Sequence, residues 1–221
     1  MDYPELRAEM VRVGQWLYAR GWIPAYDGNF SVALDGGWLL TTPAGRCKGL
    51  LQPADLLVVD RAGTPRDADA PPPSSELLMH LAVYRARSDV LACVHAHPPL
   101  AIACTVAGVS LEPAVLPEII ITLGKIPTVP YAMTGTPALG EAITPFIADH
   151  DAVLLDHHGT LAVGRTLTEA FHRTEQIEQA ATIFINAHQM GAIRRLRKPE
   201  IEELLAVRRA RGGSVASEPP R

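Results

Sequence analysis

The chain of 221 residues has no long apolar run. The stretch around residues 119–123 is among its longest, far short of the ~20 residues that a membrane-spanning helix needs. The first residues, Met1-Asp2-Tyr3-Pro4-Glu5, are acidic and polar, so no secretory signal is expected and the compartment is read as the cytoplasm. Cysteine is scarce. Cys47, Cys93 and Cys104 show no Cys-x-x-Cys spacing and cannot all pair, which suits a reducing compartment with thiols as packing residues. A charge surplus is also missing: 20 Lys and Arg against 24 Asp and Glu leave a formal net charge of −4. With a pI near 6.1 there is no electrostatic reason to expect nucleic acid or an anionic membrane as partner. Internal repeats are absent too. What the chain does have is 48% hydrophobic residues against 20% charged ones, enough for one substantial core. One domain over residues 1–211 is expected, followed by a disordered Gly/Ser/Pro tail over 212–221.

Strand and helix signals alternate along the chain, which predicts an α/β or α+β class with layered packing. Asp2 is placed to cap a first helix whose apolar stripe is Leu6, Met10, Val13 and Leu17, and Gly21 stops it. Residues 30–34 and 38–42 read as strands joined by a hairpin turn at Asp35-Gly36-Gly37, and 56–59 as a third strand. A Pro/Asp/Ala-rich surface loop over 64–75 ends in Ser74-Ser75-Glu76, where a helix begins with Leu77, His80, Leu81 and Tyr84 on its inner stripe. A serine pair at a helix start offers hydroxyls and free N–H groups, which together favour an anion. A short helix over about 100–106, an apolar segment at 119–123, a strand at 126–129 that Pro127 marks as an edge, and a helix over 136–149 capped by Thr136 follow. Then come a buried strand at 152–155, a further strand at 160–163, a long helix opened by a Thr166/Glu169 capping box, and a charged final helix.

The centre of the pattern is Leu91-Ala92-Cys93-Val94-His95-Ala96-His97-Pro98. An apolar run of this kind predicts a buried strand, on which residues i and i+2 share a face. His95 and His97 therefore look the same way, with Cα atoms roughly 6.5 Å apart, and can converge on one ion. Cys93 shares that face but lies deeper in the apolar run and is read as core. A third imidazole comes from Asp156-His157-His158-Gly159; the adjacent histidines point to opposite sides, so one of them joins the pair. Three histidines leave one position open on a four-coordinate zinc, the arrangement of a catalytic site. Glu76 can fill that position or act as a base beside the metal; as a purely structural residue it would stabilise the helix dipole.

Taken in order, Gly28-Asn29-Phe30-Ser31, Thr42-Pro43-Ala44-Gly45, Ser74-Ser75-Glu76, His95-Ala96-His97, Val129-Pro130-Tyr131-Ala132, His157-His158-Gly159 and the helix from Glu169 to Glu178 resemble the class II aldolase/adducin family over about residues 3–192. The resemblance implies a three-layer α/β/α sandwich with a mostly antiparallel central sheet, and a homotetramer with active sites at subunit interfaces. It implies Zn2+, or another divalent transition metal, held by His95, His97, His158 and Glu76. His158 is chosen over His157 because the family's ligand directly precedes the glycine. Gly28, Asn29, Gly45, Ser74 and Ser75 carry over as the phosphate-binding elements of a small-molecule sugar-phosphate site. An Asn amide, loop N–H groups and two hydroxyls suit a phosphate without a basic patch. Lys48, just beyond this loop, is read as a solvated charge, with phosphate contact as the alternative.

The activity so implied is that of a zinc-dependent aldolase. It would cleave a (deoxy)ketose 1-phosphate such as L-fuculose 1-phosphate to dihydroxyacetone phosphate and an aldehyde through a metal-bound enediolate, Glu76 returning a proton. The tyrosine that serves the aldehyde oxygen in the well-known bacterial aldolases has no counterpart in Val115-Leu116-Pro117-Glu118-Ile119. Glu118 is read either as the replacement acid/base or as a helix-start residue, and Tyr131 as a further candidate. A glutamate in that region is similar to methylthioribulose-1-phosphate dehydratases, so a dehydratase or a sugar-phosphate epimerase is the alternative reading. A non-catalytic adducin-like module is a third.

Overall fold

The structure, a computed structural model, describes residues 2–111 and 115–212. The expected tail lies outside the described residues from Gly213 onward. The described residues form seven strands and seven α-helices: α1 (Pro4–Ala19), β1 (Asn29–Ala33), β2 (Leu39–Thr41), β3 (Leu57–Val59), α2 (Leu77–Ala86), β4 (Ala92–Ala96), α3 (Pro99–Val106), α4 (Pro117–Thr122), β5 (Thr128–Val129), α5 (Pro137–Ile147), β6 (Ala152–Leu155), β7 (Gly159–Gly164), α6 (Leu167–Gln189) and α7 (Lys198–Ala210).

One sheet runs in the order β3-β2-β1-β4-β7-β6-β5. Every pair is antiparallel except β5 with β6. β5 is an edge, as Pro127 predicts, because a proline cannot donate to a further ladder. Period-two alternation divides the sheet's side chains between two layers. Leu39, Cys93, Val153 and Leu161 face α2 and α5. Leu40 and Val94 face α1 and the start of α6, while Leu154 and Ala162 pack with Ala101 and Cys104 of α3 and with the middle of α6. This is a three-layer α/β/α sandwich with a mostly antiparallel sheet. Among the described residues no helix is long and apolar enough to cross a membrane.

Local caps differ from expectation in two places. Tyr3, not Asp2, is the N-cap residue of α1, in the left-handed region at φ 59 with no side-chain cap. The Asp2 carboxylate is drawn away to Arg66, 3.0 Å distant. Thr136 precedes α5 but does not cap it, since its hydroxyl donates backward to Met133 O. At α6 the predicted cap forms, Glu169 N donating to Thr166 Oγ1 at 3.1 Å. The Glu169 carboxylate reaches one residue further back than a capping box requires, to Arg165 N.

The charged α7 is tied to the body by a buried ion cluster. Asp151 accepts from Arg87, Arg173 and Arg208 at 3.0–3.3 Å. Arg208, 1% exposed, also donates to the carbonyls of Ile121 and Thr122 at the end of α4.

Candidate metal centre

Strand β4 delivers the first imidazole at position 95, and His97 follows directly after its last residue, Ala96. The 157–159 turn comes alongside because β4 pairs with β7 in the register His95↔Leu161 and Ala96↔Thr160. His157 sits in the left-handed region at φ 56, rare for a residue with a Cβ. That backbone separates the two adjacent histidines. His157 is exposed, its Nδ1 2.9 Å from Asp156 Oδ1, while His158 turns inward. Gly159 makes room for the gathering: a Cβ there would stand 2.5 Å from Ala96 O, 2.8 Å from His97 Cδ2 and 3.3 Å from His95 Cε1. Glu76 enters from the helical layer on the Cys93 face of the sheet, as the N-cap residue of α2.

The ligand atoms of Glu76, His95, His97 and His158 all lie within 4.8 Å of one another. Glu76 Oε1 is 3.0 Å from His158 Nε2, and Oε2 is 3.2 Å from His95 Nε2. His95 Nε2 and His97 Nε2 are 3.0 Å apart. Hydrogen-bond partners fix the tautomers. His95 Nδ1 faces Thr160 O at 2.9 Å, a carbonyl that can only accept, so Nδ1 carries hydrogen and Nε2 is left for the cluster. His97 Nδ1 donates in the same sense to Asp27 Oδ2 at 3.2 Å. Two neutral imidazoles so held would oppose two bare lone pairs at 3.0 Å, which is repulsive unless a cation lies between them. Three nitrogens and one carboxylate suit a divalent transition metal, whose donors sit about 2.0–2.2 Å from it. These four residues can therefore hold such a metal.

Without a metal, protons do this work. Burial alone would push the Glu76 carboxyl up, but the adjoining His95 charge and the bonds from His158 and His95 outweigh it and hold it well below the usual carboxylate range. Burial opposes charge on His95, yet the Glu76 carboxylate raises its pKa. His97, buried beside His95 and His158, is pushed down to about 4. Of the two strand histidines, His95 is thus the one that takes up a proton more readily.

Of the expected phosphate elements, Asn29 and Ser74 bond to Glu76, and Gly28 packs on the His95 backbone. The Thr42–Gly45 and Pro72–Ser75 segments are clamped together by Ala44 N→Pro72 O at 3.0 Å and Ser74 N→Thr42 O at 3.3 Å. Gly45 has φ +63 with open space where a Cβ would lie, so its backbone is accessible and its conformation glycine-specific. Gly28, at φ +66, packs against Ile23 and His95 O instead. Ser74 Oγ accepts from Glu76 N at 3.3 Å, and Ser75 lies exposed beside it. Asn29 is turned onto the carboxylate: its Nδ2 donates to Glu76 Oε2 at 3.0 Å.

Lys48 is not solvated. It is 2% exposed and donates to Tyr26 O, because Gly14 of α1 packs directly on its backbone. Burial lowers its pKa, against the raising charges of Asp27 and Glu76. Glu118 lies exposed in the first turn of α4, and Tyr131 is 62% exposed; neither is a member of the cluster. Cys93 is fully buried, its thiol pushed up to about 12 by burial. Sequence reasoning missed Asp27 and the Thr160 carbonyl, which orient the two strand histidines. Asp27 offered the faint signal of an acid beside Gly28-Asn29; a backbone carbonyl offers none.

Comparison with known proteins accords with this geometry. Residues 8–185 match the family model for the Class II Aldolase and Adducin N-terminal domain. The chain is 35% identical over 204 residues to 3-oxo-tetronate 4-phosphate decarboxylase of Pectobacterium atrosepticum, covering 90% of this chain and 91% of that one. It is 36% identical over 175 residues to L-fuculose phosphate aldolase of Methanococcus vannielii, covering 79% and 93%. The crystal structure of YgbL from Klebsiella pneumoniae superposes with a TM-score of 0.85 at 33% identity, over 92% of this chain and 99% of the other.

Proposed function

The chain belongs to the class II aldolase and adducin N-terminal domain family, and on that premise we propose that it is a metal-dependent lyase that decarboxylates a 3-oxo sugar-acid phosphate. The candidate substrate is 3-oxo-tetronate 4-phosphate, for which its relative from Pectobacterium is named. The observation that supports this choice is the likeness to that decarboxylase together with a cluster of three imidazoles and one carboxylate. A retro-aldol cleavage needs one group to take the hydroxyl proton at the breaking bond and another to serve the enediolate carbon. Loss of carbon dioxide needs only the second. The C1 carboxylate leaves as a neutral gas, the C1–C2 electron pair passes into the C2–C3 enediolate, and one proton added at C2 gives dihydroxyacetone phosphate.

A divalent metal, with zinc the proposed ion, held by His95, His97, His158 and Glu76 would supply the Lewis acid that draws electrons onto the 3-oxo oxygen. The remaining steps belong to the chain. Ser74, Ser75 and the backbone of Gly45 anchor the phosphate at the mouth, with the second N–H of Asn29 and the Gly28 turn completing the cradle. Asp27 and Thr160 O keep His97 and His95 aimed. Glu76 lies at the boundary of solvent and interior, its side chain 15% exposed, and relays a solvent proton to C2.

A second reading, aldol cleavage of L-fuculose 1-phosphate, is favoured by the likeness to the Methanococcus aldolase; there Glu118 or Tyr131 would serve the aldehyde oxygen from a neighbouring subunit of a homotetramer. Light scattering that returns a monomer would remove that arrangement. Side-by-side assay of metal-loaded protein on the two substrates tests the choice. Carbon dioxide from the 3-oxo acid, with faster turnover than aldehyde release from fuculose 1-phosphate, is expected; aldehyde release alone would replace the decarboxylase with the aldolase. Glu76→Gln should abolish either activity while leaving the fold intact.

A further inference from the structure

Behind the metal cluster a polar seam crosses the otherwise apolar layer between α2 and the sheet. Glu76, His80 and Tyr84 recur at four-residue spacing and so form one stripe of the α2 segment. Opposite them stand Asn29 and Ser31, two apart on one face of β1, paired in register with His95 and Cys93 of β4. Every member except Glu76 is at most 7% exposed.

Giving each contact of this seam its own hydrogen leaves one assignment. Tyr84 OH donates to Ser31 O at 2.9 Å, because a carbonyl cannot donate. The Ser31 Oγ contact with Tyr84 OH at 2.9 Å must then use the serine hydrogen. The 2.8 Å contact between His80 Nδ1 and Ser31 Oγ must in turn use the imidazole hydrogen. His80 is therefore the Nδ1–H tautomer, and its Nε2 is a bare lone pair. That atom is fully buried and has no hydrogen-bond partner among the described residues. The amide of Asn29 is oriented just as firmly, since Nδ2 faces the Glu76 carboxylate and leaves Oδ1, also buried without a partner, as a second bare acceptor. Buried acceptors in native proteins are matched by donors, and ordered water supplies the donors that side chains do not.

We propose that His80 is a positioning residue for Glu76: one buried water donates its two hydrogens to His80 Nε2 and Asn29 Oδ1, and thereby holds Asn29 Nδ2 on the Glu76 carboxylate. This rests on the reading of Glu76 as the proton-transfer group. Burial disfavours a charged His80, pushing it down to about 3, so the imidazole stays an acceptor throughout the working pH range. The relay from Tyr84 through Ser31 fixes the tautomer, the water carries that orientation across to β1, and Asn29 passes it on to the carboxylate.

The test has two arms. In the unsubstituted protein labelled with 15N-histidine, the His80 ring should show a protonated Nδ1, an unprotonated hydrogen-bonded Nε2 and no titration between pH 5 and 8; a crystal structure should show one water shared with Asn29. The opposite tautomer, or no water at that place, overturns the proposal. In the second arm, His80→Met keeps an apolar fit and should lower kcat about tenfold or more at unchanged KM, the loss typical of removing an orienting partner. His80→Gln, whose carbonyl can accept from the water, should recover part of it. Unchanged kcat in His80→Met, or equal loss in both variants, overturns the positioning role. Should the unsubstituted protein turn over no sugar phosphate, the lyase reading fails, while the spectroscopic arm still decides the tautomer and the water.

Discussion

Replacing Gly159 with alanine isolates how closely the histidine cluster is packed. Gly159 has no positive φ, so alanine is conformationally allowed and the added methyl acts through contact alone. The new Cβ would stand 2.5 Å from Ala96 O, 2.8 Å from His97 Cδ2 and 3.3 Å from His95 Cε1. The first contact is with backbone, inside the β4–β7 pairing, and cannot be relieved by rotating a side chain. The other two are with rings already fixed at Nδ1 by Asp27 and Thr160 O. Overpacking one methyl into a close-packed site costs about 1–3 kcal/mol. In a chain of this size that amounts to roughly 2–12 °C in Tm if the folded state absorbs it all. If the rings move instead, the same energy appears as about 5–150-fold weaker metal binding. The assay is paired: thermal unfolding of the metal-free protein, and equilibrium titration with Zn2+. Both parameters within error of the unsubstituted protein would refute the packing argument, because strain must surface in one or the other.

Other expectations follow from the same structure. Asp151→Ala leaves Arg87, Arg173 and Arg208 without their shared carboxylate and should destabilise by about 3–5 kcal/mol in a denaturant titration; a loss under 1 kcal/mol would show the cluster to be dispensable. Ser75→Asp sets a negative charge at the phosphate cradle and should raise KM at least tenfold with little change in metal binding, whereas an unchanged KM would move the phosphate elsewhere. Of the three thiols, half-buried Cys47 should react first with a disulfide reagent in the native protein, with Cys93 and Cys104 protected; fast labelling of all three would contradict the burial. The Cys93 pKa is raised from 9.0 to about 12, so its contribution to stability is complete below pH 9 and is lost as pH rises toward 12. Cys93→Ala should flatten the alkaline limb of the stability profile, and an identical limb would oppose the assignment.

The histidine strand was legible because strand periodicity is local: a separation of two residues settles which way His95 and His97 look, whatever the strand packs against. The edge position of β5 was legible for a similar reason, a proline having no hydrogen to give. Lys48 was not legible, since its burial depends on Gly14, thirty-four residues earlier, approaching its backbone. Asn29 was expected at the phosphate, yet its amide is claimed first by Glu76, forty-seven residues away, a pairing decided by how α2 docks on β1. The cap at Asp2 failed because a tertiary partner, Arg66, competes for the same carboxylate. His80 read as packing because helical spacing identifies a buried stripe but says nothing about which of its members retains an unmatched lone pair.

On the proposed function, one metal-binding cluster with one carboxylate releases carbon dioxide from a 3-oxo sugar-acid phosphate. The most direct test of that function is carbon dioxide release from 3-oxo-tetronate 4-phosphate, measured while divalent metal is removed by chelation and then titrated back. One carbon dioxide per dihydroxyacetone phosphate is expected, with loss of both on chelation and recovery that saturates at one metal ion per chain. Release that survives complete chelation, or its absence at saturating metal, would contradict that function.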